Sequence, residues 1–276
     1  MIALLLSALI GTGMAFIAGK VKGKGAEIVG FATAVPFFTY AIGAPLWDIA
    51  GDVVGFNLRG FAGFEVFASL ILAIALIEVR AREALSIDEY IQVAPLSSFV
   101  LSAGAGLVGT LSRMWYLLSV IILLLLMFFS EKNPERWMRC QPFEGFGVPC
   151  ITDDESRSAY VIANRIFVGG FTLQNFSSVE KLIACLLRAA EKTKRAARVL
   201  GYTCLLAPAL IVPLLSWGFL SALILALAVT FLCYYLWALS MVALSKRRAP
   251  VECREVLEEY AGFMRKTKRK REIIVS

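Results

Sequence analysis

The residue that carries most acid–base, nucleophile-activating and zinc chemistry is missing, because the 276-residue chain has no histidine. That excludes an imidazole general base, Ser-His and Cys-His nucleophile pairs, and imidazole metal ligands. Six cysteines remain, with no CxxC among them. Cys140 and Cys150 flank a short loop and can pair if the compartment allows, whereas Cys185, Cys204 and Cys233 fall in helical or apolar runs and read as small buried hydrophobes. Asp153-Asp154-Glu155 offers oxygen ligands of the kind Mg²⁺ or Ca²⁺ takes, but a polar turn needs no metal. Glu27 and Glu65 lie inside apolar stretches, where an ionisable side chain is a functional candidate. Both are near the ends of those stretches, with a route to the interface and no obvious cation opposite. The Gly11/Gly13 and Gly145/Gly147 pairs lack the strand-to-helix setting of a phosphate loop. No complete metal or cofactor centre emerges, and none is expected.

The elements that position these residues are written in the hydropathy. The chain is 59% hydrophobic with a mean hydropathy of +0.74, more apolar surface than a soluble domain of this length can hide. The apolar residues come in blocks of about twenty, the length that crosses a hydrocarbon core of ~30 Å. Such blocks cover residues 2–19, 26–47, 61–77, 91–111 and 114–129. A sixth and a seventh share residues 199–245, which hold no charge and turn near Ser216-Trp217-Gly218. The expected fold is therefore mainly α, a polytopic membrane protein of about seven transmembrane helices with a small α+β cytosolic subdomain. Its parts are a five-span region (1–130), the subdomain (131–198), a two-span hairpin (199–245) and a basic tail with an amphipathic helix (246–276).

Charge orients this arrangement. With the N-terminus outside, 26 of the 28 Lys/Arg fall on inner segments, and only Arg59 and Arg113 on outer loops. The positive-inside rule then predicts a multi-pass cell-membrane protein with a cytoplasmic C-terminus. The net charge of +7 is concentrated at span ends and in 246–248 and 265–271. It suits the bilayer, with anionic lipid at the basic tail, and excludes nucleic acid as a partner.

Residues 131–198 hold 11 Lys/Arg and 8 Asp/Glu, the one stretch with the composition of a water-facing subdomain. A short strand is predicted at 148–151, a hairpin-like pair at 159–164 and 166–170, and a helix from the Ser177-Ser178-Val179-Glu180 capping signature onward. That helix runs directly into the sixth apolar block. The order resembles the HtpX-type membrane zinc metallopeptidases, relatives of the CAAX prenyl protease, over residues 147–255. The likeness is carried by Val148-Pro149, Ala159-Tyr160, Val168, Leu173-Gln174-Asn175-Phe176-Ser177 with Glu180, and the Leu182-x-Ala184-x-Leu186 ladder.

In that family HExxH puts two zinc-binding histidines and a glutamate base on the helix, and a later helix supplies a third, glutamate ligand. The resemblance places Arg188-Ala189-Ala190-Glu191-Lys192 at the motif. Arg188 and Lys192 stand where the histidines would be and Ala189 where the base would be, while the third-ligand carboxylate falls near Glu252 or Glu255. A salt bridge between Arg188/Lys192 and these acids would occupy the place of the metal, unless both groups are ordinary surface residues. The implied protein is metallopeptidase-like and not catalytic, a regulatory scaffold binding a peptide or a membrane-protein partner. Strand residues Ile166, Phe167 and Val168 are the expected peptide-pairing edge. The alternative is a subunit of a membrane complex or a transporter component unrelated to peptidases.

Overall fold

The computed structural model describes residues 25–84, 87–132, 141–142, 149–152, 159–162, 165–248 and 251–274. The first apolar block, Cys140 and the Asp153-Asp154-Glu155 turn lie outside these residues, so nothing is said of them. Four helices come first: α1 (Gly25–Val54), α2 (Arg59–Ala84), α3 (Ile87–Leu111) and α4 (Arg113–Lys132). Short strands β1 (Gln141–Pro142), β2 (Pro149–Thr152), β3 (Ala159–Ile162) and β4 (Arg165–Gly169) follow, then α5 (Gly170–Asn175). The chain closes with α6 (Val179–Leu215), α7 (Phe219–Arg248) and α8 (Val251–Ile274).

The protein is mainly helical, and three of its helices contain segments long and apolar enough to cross a membrane: Arg59–Ile77, Arg195–Leu215 and Phe219–Met241. Pro95–Leu111 and Arg113–Phe129 are shorter apolar helices. The turn between α6 and α7 falls at 216–218, where the sequence puts it.

The bundle packs on large buried side chains such as Tyr40, Phe67, Leu70, Ile77 and Leu107, and at α3 it also closes by close backbone approach. On α3, a Cβ at Gly106 would lie 2.8 Å from the Pro208 carbonyl oxygen, and one at Gly109 would lie 3.1 Å from Pro213 Cβ. Both prolines belong to α6, so the small-residue face expected on 102–109 is the seam between α3 and α6. Each proline also removes an N–H from the α6 ladder and frees the carbonyl four residues earlier. Pro213 frees Ala209, whose oxygen accepts from Tyr116 Oη at 3.2 Å. Around Pro208, the Ser102 hydroxyl donates to the Leu205 carbonyl and accepts from the Ala209 N–H. Those two groups bond each other in a regular helix, so α3 and α4 complete the polar needs of a proline-interrupted α6. At the far end of α1, Gly55 adopts φ +76° and its N–H reaches the Gly51 carbonyl at 2.8 Å, a left-handed helix ending that glycine takes without strain.

The strands form one sheet in the order β1-β2-β4-β3. β2 runs parallel to β4, and β1 and β3 are antiparallel to their neighbours. The hairpin about 164–165 is as the sequence predicts, but the peptide-pairing edge is not. Ile166, Phe167 and Val168 are paired on one side with Pro149, Cys150 and Ile151, and on the other with Val161, Tyr160 and Ala159. β4 is thus interior, with Phe167 and Val168 buried, because the parallel partner β2 takes the side the sequence leaves open. Among the described residues, the edge strands of the sheet are β1 and β3. The helix α6 starts within the predicted Ser177–Glu180 signature, with Ser178 as N-cap; its side chain makes no capping bond, while its carbonyl accepts from Leu182 N–H at 3.0 Å.

Candidate functional site

The site predicted from the sequence lies where α6 and α8 cross over the sheet. On α6, Val179, Leu182, Ile183 and Leu186 recur at i, i+3, i+4 and i+7, the spacing that lines one helix face. On α8, Val256, Leu257, Tyr260 and Phe263 fall at i, i+1, i+4 and i+7, again on one face. The two faces close over Ala159 of β3 and Val168 of β4 in a single apolar cluster with Leu173 and Phe176. Phe176 fixes the crossing, with its ring 5.4 Å from both Tyr260 and Phe263. Aromatic pairs of this kind add about 0.5–1.5 kcal/mol beyond the area they bury.

At the margin of that apolar contact the helices are tied twice. Arg188 Nη1 donates to Glu252 Oε2 at 3.3 Å, a pairing that the resemblance allows beside the alternative of ordinary surface residues. Its side chains are 64% and 80% exposed. An ion pair so open to water contributes about 0–1 kcal/mol, so it marks the geometry more than it secures it. One turn before Arg188 and next to Glu252, Cys185 and Cys253 form a disulfide with Cα atoms 5.5 Å apart. This bridge is shielded, the cysteines being 9% and 1% exposed.

Cys185, expected as a small buried hydrophobe, is instead one end of this bridge. The one pointer to it is the Arg188–Glu252 pairing that the family resemblance allows, since no local pattern links the two cysteines. A helix crossing that brings 188 to 252 also brings 185, on the adjoining turn, to 253. Of the other motif positions, Ala189 is half-buried, and Lys192 is exposed one turn further along α6. Among the described residues no three His, Cys, Asp or Glu side chains converge as a metal site. Around Arg188, Ala189, Lys192 and Glu252 the arrangement has two cations, a methyl and a carboxylate. The Arg188–Glu252 contact can hold two helices together.

A second polar region lies at the opposite end of the bundle. Arg59 grips Asp48 through Nε at 3.1 Å and Nη2 at 3.4 Å, bracing the α1–α2 connection. Deeper in, Tyr40 Oη and Thr110 Oγ1 share a hydrogen bond of 3.1 Å. Glu65 is corrected as well. In place of the expected route to the interface, its side chain is 3% exposed, within α2.

Comparison with protein-family models, with curated proteins and with solved structures yields no match.

Proposed function

We propose that this chain is a non-catalytic, metallopeptidase-like protein of the cell membrane that works as a peptide- or partner-binding regulatory scaffold. The observation carrying this reading is the Arg188–Glu252 contact beside the Cys185–Cys253 bridge. The resemblance would put the family's zinc at this crossing of two helices. A guanidinium and a disulfide supply the cross-link a metal would give, without a Lewis acid or a base.

The membrane arrangement belongs to the same proposal: about seven spans, the N-terminus outside, and the sheet, α8 and the basic tail in the cytoplasm as a small α+β subdomain. It is supported by the three long apolar helices and by the charge asymmetry between loops. The free edge of β3 is the natural place for an extended peptide to add a strand. Metal analysis of purified protein is expected to find no stoichiometric zinc, and an extended peptide is expected to bind. Successive residues of a strand turn their N–H groups to opposite edges. Proline at either Tyr160 or Val161 should therefore abolish that binding, and proline at the other should only disturb the β3–β4 pairing. Stoichiometric zinc together with peptide hydrolysis would overturn the proposal.

A transporter component or complex subunit is the second reading, favoured by Glu65, a carboxyl buried at membrane depth. Proton-dependent solute uptake into vesicles that is lost on Glu65→Gln would select it.

A further inference from the structure

We propose that Lys192, Arg195 and Arg198 of α6 form a headgroup site for an anionic phospholipid, in the leaflet facing the sheet. This rests on the membrane arrangement above and goes beyond the expectation of lipid at the basic tail. It starts from α6 running as a single helix, with Pro208 and Pro213 inside it, from the crossing with α8 to the 216–218 turn. Between residues 181 and 251 the sequence holds one acid, Glu191, against nine Lys/Arg. Those basic residues stand on α6 before its uncharged stretch and on the last turn of α7. The acids of α8 begin only at Glu252, which is engaged at Arg188.

Helix rise sets the depth of each group. At ~1.5 Å per residue, Arg198, Arg195 and Lys192 lie about 26, 30 and 35 Å along α6 from its Leu215 end. All three are exposed. On α7, Tyr235 and Trp237 lie about 24 and 27 Å from Phe219, and 246–248 about 41–44 Å. Trp217, 90% exposed, marks the opposite boundary in the turn. Between the two aromatic levels the outer wall is apolar, with Leu210 and Leu214 of α6 and Leu220, Ile224 and Phe231 of α7 exposed. The separation of the two aromatic levels matches a hydrocarbon core of ~30 Å, and Trp and Tyr favour its two interfaces. Arg198, Arg195 and Lys192 then climb through the headgroup layer beside α7. Guanidinium donors at that height fit a phosphodiester monoanion, whose acyl chains run down the exposed apolar wall.

The test uses the full chain purified in a neutral detergent, with lipid binding counted by native mass spectrometry and thermal stability followed in parallel. Phosphatidylglycerol should bind and raise the melting temperature where phosphatidylcholine does not. Each basic residue near a headgroup layer is worth about a factor of five in affinity, so Arg195→Gln/Arg198→Gln should weaken phosphatidylglycerol about thirtyfold. Neutralising 268–271 in the tail should leave binding within about twofold, as those charges lie outside the site. If the double variant fails to fold, Lys192→Gln alone should still lower affinity about fivefold. Equal binding of phosphatidylcholine, loss confined to the tail variant, or equal stabilisation by inorganic phosphate would each overturn the site. A chain that stays soluble without detergent would instead overturn the membrane arrangement beneath it.

Discussion

The two halves of α6 are one helix in two surroundings. From 179 to 198 it is amphipathic, and its apolar face packs against the sheet and α8 with charge on the outside. From 199 to 215 it carries no charge and packs on α3 through glycines, with Ser102 and Tyr116 serving its backbone. In water, removing apolar surface from solvent drives the contact. Against lipid that drive is absent between helices, and close packing and hydrogen bonds remain. The same substitution type should therefore weigh differently in the two halves, and this difference can be tested.

The largest expected effect is in the water-facing half. Leu182 is fully buried between the sheet and α8, so Leu182→Ala removes transfer energy and leaves a cavity, costing about 2–5 kcal/mol. In the membrane half the sensitive change is enlargement. Gly106→Ala meets the Pro208 carbonyl, a backbone atom that cannot swing aside, and should cost about 1–3 kcal/mol. Leu220→Ala, on the exposed wall, should be close to neutral in detergent. Denaturation curves of the three variants check the contrast. A Gly106→Ala protein as stable as the parent would break it.

The disulfide sharpens the comparison because it joins the water-facing half of α6 to α8 across the whole membrane hairpin, with a sequence separation of 68. Closing a free loop of that length would be worth about 4 kcal/mol by chain entropy. If the α6–α7 hairpin stays inserted when the sheet unfolds, only about twenty residues of that loop remain free, and Cys185→Ser/Cys253→Ser should cost about 3 kcal/mol. A loss of the full amount would mean that the hairpin unfolds together with the sheet. The bridge also bears on sidedness, since disulfides persist mainly in oxidising compartments. Thiol labelling before and after reduction, with reagents confined to one face, reads both the bonded state and the side. Labelling of the reduced pair from outside would reverse the proposed orientation.

How much was legible in the sequence follows the same division. The α6–α7 hairpin could be read directly, because no charge between 199 and 245 leaves a two-span solution with a turn at Gly218. The amphipathic helix after 251 could be read from its 3.6-residue pattern. The order of the sheet could not, since short strands such as 149–152 and 165–169 announce their tendency but not their partner. Pairing β4 with β2 is a tertiary choice, and among the described residues it leaves β1 and β3 as the edge strands. Cys185–Cys253 was hidden for a related reason: nothing local links two cysteines on opposite sides of a membrane hairpin. Arg188 and Glu252 were brought together only by the family likeness, and their contact does not depend on the family's chemistry.

That contact gives the smallest effect. Arg188→Glu or Glu252→Arg alone should cost at most about 1 kcal/mol, because both side chains are open to water and screened by salt. The double reversal should recover most of the loss. With the disulfide intact the crossing is held covalently, and the measured coupling should shrink toward the error of the experiment. The cycle is therefore best run in the Cys185→Ser/Cys253→Ser background, at low salt, by denaturant melts. Recovery there, and not in the disulfide-bonded protein, would mean that the two links act on one crossing and that the ion pair matters when the covalent one is open. A double reversal no better than either single variant would reduce Arg188 and Glu252 to neighbouring surface charges and leave the disulfide and the Phe176 contacts to hold α8.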